Sequence, residues 1–160
     1  MDSKNFWREI VNKLIEKKLT IATMESCTGG GIANEITNIS GASAIIKESY
    51  VTYCNEAKIK HGVPEEVIDT YSVYSIETAI EMAKAVKINT GSNYSIGVTG
   101  QLGRIDPNNP EEKLNHVWFA ILDKDDNITS KEIVVPSDDR NKQKEYVINE
   151  IAKELICLLK

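Results

Sequence analysis

The fold of this chain turns on one stretch: Leu19-Thr20-Ile21-Ala22-Thr23-Met24-Glu25-Ser26-Cys27-Thr28-Gly29-Gly30-Gly31. Leu19 to Met24 is short, largely apolar and carries β-branched residues, which predicts a strand. Glu25 to Gly31 is a turn that opens a helix expected over Thr28 to Ile39. A strand, a glycine-rich turn and a helix in that order form the first half of an α/β unit.

The same alternation runs outward in both directions. Upstream, Phe6, Trp7, Ile10, Val11, Leu14 and Ile15 recur at helical spacing between Ser3 and Lys18, with lysines on the other face. Downstream, Ile45 to Tyr53 reads as a strand, and Asn55 as the cap of a short helix ending at Gly62. Pro64 suits the first turn of a helix over Glu65 to Tyr71. Ser75 caps a longer helix that ends before Gly91, with Ile76, Ala79, Ile80, Ala83 and Val86 on one face. Tyr94 to Thr99 is a strand, followed by a polar loop from Gly100 to Asn115. His116 to Leu122 and Ile128 to Pro136 form a hairpin around Asp125-Asp126-Asn127. A last helix starts near Asp138 or Asp139 and aligns Val147, Ile148, Ile151, Ala152, Leu155 and Leu159. The expected architecture is one α/β/α layered domain over residues 1–160, a mixed β-sheet flanked by helices.

Composition narrows the function classes. The 160 residues carry 19 basic and 24 acidic side chains, a formal net charge of -5. Such a chain has no evident basic surface for a phosphate backbone, so nucleic acid is not expected as a partner. No apolar run approaches the roughly 20 residues that cross a bilayer, and the N-terminus lacks signal-peptide order, so a cytoplasmic home without membrane contact is expected. Three cysteines without C-x-x-C spacing disfavour a disulfide framework, and two distant histidines offer no zinc site. Cys157, on the apolar last helix, is expected in the core. Asp138 and Asp139 suit a helix N-terminus better than a metal.

Chemistry is expected first at the Glu25–Gly31 turn, at a strand's carboxyl end where α/β folds gather ligands. Backbone N–H groups at a helix start favour an anion, and glycines allow close approach. Ser26 could be exposed there as a nucleophile, although a serine or threonine that merely caps the helix is the commoner arrangement. Neither histidine has an obvious carboxylate partner, which leaves a desolvated lysine as a base. Tyr53-Cys54-Asn55-Glu56-Ala57-Lys58 ends a second strand and could face the first turn. Alone, Lys58 would be a solvated charge and Tyr53 a half-buried aromatic. Cys27 beside Ser26 is better read as a small packed residue than as a nucleophile.

Two segments, Glu25-Ser26-Cys27-Thr28-Gly29-Gly30 and Val51-Thr52-Tyr53-Cys54-Asn55-Glu56-Ala57-Lys58, resemble the signatures of the CinA C-terminal domain family. Gly41-Ala42-Ser43-Ala44, Gly62-Val63-Pro64-Glu65, Val98-Thr99-Gly100 and Val117-Trp118-Phe119-Ala120 extend the resemblance over nearly the whole chain. That family includes stand-alone nicotinamide-nucleotide amidases. The resemblance implies hydrolysis of the carboxamide of nicotinamide mononucleotide, with no metal or organic cofactor and with association into homo-oligomers, dimers or larger. By the same resemblance Ser26 matches the nucleophile, Lys58 its base and Tyr53 an assisting tyrosine. Cys27, Thr28, Gly29, Gly30, Thr99, Gly100 and Arg140 fall at substrate-binding positions.

Two departures stand out. A family serine is Cys54 in this chain. The glycine-rich stretch expected after Thr99-Gly100 is replaced by Gln101-Leu102-Gly103-Arg104-Ile105-Asp106-Pro107, bulkier and charged. A changed carboxamide or nucleotide substrate is the alternative if that loop lines the site. A non-catalytic nucleotide-binding or interaction module is the third reading.

Overall fold

A computed structural model describes residues 3–108 and 113–160. Residues 109–112, inside the expected polar loop, lie outside that description. A five-stranded mixed sheet runs in the order β2-β1-β3-β4-β5. Its strands are β1 (Ile21–Glu25), β2 (Tyr50–Val51), β3 (Tyr94–Gly100), β4 (His116–Leu122) and β5 (Ile128–Val134). β1 pairs in parallel with both β2 and β3, whereas β3–β4 and β4–β5 are antiparallel. The carboxyl ends of β1, β2, β3 and β5 therefore share one edge of the sheet.

One face of the sheet is covered by α1 (Ser3–Lys17), α2 (Gly31–Thr37) and α6 (Arg140–Leu158). The other carries α4 (Glu65–Tyr71) and α5 (Ile76–Thr90), while the short α3 (Asn55–Lys60) follows β2. β4 shows the logic of the layers: Val117, Phe119 and Ile121 join the first core, Trp118, Ala120 and Leu122 the second. A strand buried on both faces reads as a continuous apolar run, as His116–Leu122 does. α1 buries Trp7, Ile10, Val11 and Leu14, as their spacing predicts. β3 meets α5 through small residues. A Cβ on Gly97 would lie 2.3 Å from the Ala79 carbonyl oxygen, and Ser95 Oγ donates to Ala83 C=O at 2.8 Å.

Several expectations shift. The strand expected over Ile45 to Tyr53 shrinks to Tyr50–Val51. The rest of the β1 edge is satisfied piecemeal: Ile21 N–H donates to Ile45 C=O and Thr23 N–H to Ser49 Oγ. α2 starts at Gly31 rather than Thr28, because Gly29 (φ 60) and Gly30 (φ 92) take left-handed conformations that end the turn. Cys54, not Asn55, is the N-cap of α3. Ser75 does cap α5, accepting from Thr78 N–H. Cys157 is exposed rather than core, since two residues past buried Leu155 lies on the opposite side of α6.

Candidate active site

Ser26 follows the last residue of β1, and its N–H donates to Val98 C=O of β3 at 3.1 Å. Thr52 follows β2 and is pinned the same way, its N–H donating to Glu25 C=O at 2.9 Å. These bonds bring the ends of β1 and β2 together. Lys58, one turn into α3, points back between them and is 1% exposed. Its Nζ lies 3.1 Å from Ser26 Oγ and donates to Thr52 C=O at 2.8 Å. Burial draws the Lys58 pKa down from 10.5 to about 8, against the opposing influence of Cys27, Cys54 and Asp106. A neutral amine keeps a hydrogen for Thr52 and turns its lone pair to the serine hydroxyl. This is a nucleophile–base pair with the base oriented by a third group.

Cys27, also buried, has its thiol pushed up to about 12, first by burial. At neutral pH it is a packed thiol and supplies no thiolate. Tyr53 is exposed, and its hydroxyl accepts from Arg140 Nη2 at 2.9 Å. β5 ends on the same edge as β1 and β2, so the start of α6 delivers Arg140 to the site.

A cavity of about 570 Å³ brings Ser26, Cys27, Tyr53, Lys58, Gly100 and Arg140 together. That volume suits a small organic ligand. The loop after β3 forms one wall, contributing Gln101, Leu102, Arg104 and Asp106. The loop therefore lines the site. Asp106 Oδ2 accepts from the Tyr74 hydroxyl at 2.8 Å and Oδ1 from Asn108 N–H at 2.9 Å. Lys113 holds the returning leg, donating to Tyr74 C=O at 2.9 Å.

Four residues anticipated at the substrate stand elsewhere. Thr28, Gly29, Gly30 and Thr99 are not on the cavity wall. Thr99 Oγ1 is spent on Val73 C=O. Gly29 N–H donates to Ser26 C=O at 2.9 Å, which removes one donor from a possible oxyanion site. Thr28 does not cap α2; its hydroxyl donates to Glu25 Oε1 at 2.6 Å.

Glu25 is the residue that sequence reasoning missed. Fully buried, it accepts from Thr28 Oγ1 and Ile32 N–H on one oxygen, and from Thr23 Oγ1 and Ala33 N–H on the other. It caps α2 from the preceding strand and fixes the turn that holds Ser26. The signal available was an acidic residue ending an apolar strand just before a helix. Among the described residues no group of three or more His, Cys, Asp or Glu could hold a metal, and no helix is long and apolar enough to cross a membrane.

Residues 3–159 match the family described as CinA C-terminal domain. A Clostridium acetobutylicum protein, named as competence-damage inducible, is 38% identical over 149 residues, 91% of this chain and 36% of that protein. The chain thus spans about a third of that relative's length. The crystal structure of competence/damage inducible protein CihA from Agrobacterium tumefaciens superposes with a TM-score of 0.90 at 28% identity, covering 100% of this chain and 97% of that one. A competence or damage-inducible protein from Enterobacter asburiae shares the fold at a TM-score of 0.92 and 21% identity, over 100% and 99% of the two chains. With its two signatures meeting at Ser26 and Lys58, this chain belongs to the CinA C-terminal domain family.

Proposed function

We propose that the protein is an amidohydrolase that converts nicotinamide mononucleotide to nicotinate mononucleotide and ammonia, a step of pyridine nucleotide salvage. The observation that carries this reading is the buried Lys58 amine, 3.1 Å from Ser26 Oγ and with a pKa of about 8. A serine needs a base to attack an amide, and an amine whose pKa is drawn down to about 8 has a neutral fraction near physiological pH that an ordinary lysine lacks.

In the proposed reaction Lys58 Nζ takes the Ser26 proton as Oγ bonds to the carboxamide carbon. The N–H of Cys27, on the cavity wall beside Ser26, is the candidate donor to the oxyanion. The lysinium returns its proton to the leaving nitrogen as the C–N bond breaks, and ammonia departs. Lys58 then removes a proton from water, which attacks the acyl-enzyme, and passes that proton to Ser26 as the acid is released. Tyr53 orients Arg140 through their 2.9 Å hydrogen bond, and Arg140 engages the nucleotide.

The test is ammonia release from nicotinamide mononucleotide by the wild type, Ser26→Ala and Lys58→Ala. Each variant is expected to lose at least about a thousandfold in kcat. Turnover that survives Ser26→Ala would sink the mechanism.

The charged wall formed by Arg104 and Asp106 favours one second reading, the same chemistry on another carboxamide nucleotide. Ammonia release from a panel of such nucleotides separates the two.

A further inference from the structure

The cavity holds two arginines, Arg104 from the loop after β3 and Arg140 from the start of α6. Elsewhere this acidic chain pairs many of its cations: Lys13 with Glu9, Lys84 with Glu81, Lys87 with Asp126, Lys131 with Glu154. Among the described residues, neither Arg104 nor Arg140 is in an ion pair. Two like charges lining one cavity raise its affinity for an anion placed between them.

The loop is built to keep them close. Gly103, at φ 85, lies against the Arg140 stem, where an added Cβ would be 3.0 Å from Cγ and 3.3 Å from Cδ. Gly103 N–H is fixed to Asn115 Oδ1 at 3.1 Å, and the preceding Leu102 is buried. Arg104 thus leaves an anchored backbone one residue after the glycine that rests on the Arg140 stem. The cavity's acidic loop residue, Asp106, accepts from the Tyr74 hydroxyl on one oxygen and from Asn108 N–H on the other.

We propose that Arg104 and Arg140 together seat a phosphate monoester, so that Arg104 makes this protein select a nucleotide over its nucleoside. This rests on the nucleotide-amidase reading for the identity of the substrate, but not for the presence of the anion site. A planar guanidinium binds phosphate through two parallel N–H donors, and two guanidinia match its dianionic charge.

Calorimetric titration with inorganic phosphate is the first arm, on the wild type, Arg104→Ala and Arg104→Lys. Phosphate affinity is expected to fall about tenfold or more in Arg104→Ala and to recover in part in Arg104→Lys. The second arm is the ratio of kcat/KM for nicotinamide mononucleotide to that for nicotinamide riboside, expected to fall by a similar factor in Arg104→Ala. Arg104 is exposed, so its removal leaves the core intact. An Arg104→Ala protein that keeps both phosphate affinity and the nucleotide preference within twofold of wild type overturns the proposal. Phosphate binding that depends on Arg104 in a protein without amidase turnover would uphold the anion site and fail the amidase reading. Amidase turnover with phosphate affinity and ratio both indifferent to Arg104 would do the reverse.

Discussion

Lys58 is costly to bury, and its surroundings show what offsets that cost. Its ammonium would be stripped of water at 1% exposure, with the Thr52 carbonyl at 2.8 Å and the Ser26 hydroxyl at 3.1 Å as recorded partners. The protein relieves this by lowering the lysine's affinity for a proton, to a pKa of about 8. The sign for catalysis follows directly. A general base acts when unprotonated, so kcat/KM should climb about tenfold per pH unit below 8 and level off above it. An initial-rate profile from pH 6 to 10 checks this, and a rate that falls as pH rises through 8 would remove Lys58 as the base. Nothing in the sequence announces the burial. Lys58 sits in a six-residue helix beside exposed Lys60, too short for periodicity to mark an inward face. The Ser26–Lys58 pairing was legible only through the family resemblance, because the residues are 32 positions apart.

At the scale of elements, the turn after β1 is held by a carboxylate rather than by a hydroxyl cap. Glu25 accepts from four donors on the residues that lead into and out of the turn. A glutamine there would bring an amide N–H₂ against donors that need acceptors. Glu25→Gln should therefore destabilise the fold by about 2–4 kcal/mol in urea denaturation, with a lower midpoint at unchanged m-value. Equal midpoints would show that the network is not holding the turn. The amphipathic helices α1, α5 and α6 were legible, since residues such as Leu14, Ala83 and Ile151 repeat at the period of their buried faces. β2 was not. Its β-branched residues promise a long strand, yet after the 3-10 turn at Ala42–Ala44 the chain meets the β1 edge only at isolated points. The start of α2 was misplaced because left-handed Gly29 and Gly30 extend the turn, which also hid the role of Glu25.

For the whole molecule, the cavity is made by segments that meet only once the sheet has formed: the ends of β1 and β2, the loop after β3 and the start of α6. The three thiols report on this assembly. Cys54 and Cys157 are exposed, whereas Cys27 lies buried at the point where the segments converge. Iodoacetamide should label Cys54 and Cys157 readily in the folded protein. Cys27, nearly buried on the cavity wall and with its pKa near 12, should label far more slowly than either. Peptide mass mapping over time distinguishes the sites, and Cys27 labelling as fast as Cys54 would show that its thiol is not held buried and protonated.

The neck of the loop between β3 and β4 has a bearing on how such a chain can vary. Gln101 bridges Leu114 and exchanges backbone hydrogen bonds with Asn115 and His116, so the loop is clamped where it leaves the sheet. Beyond the clamp, residues can be inserted, deleted or exchanged without disturbing the register of Gly100 opposite Val117. Ser26 and Lys58 stand on other elements altogether. Descendants of one ancestor can thus diversify this wall while inheriting the serine and lysine untouched, and grafting the loop from one relative onto another is the corresponding engineering route.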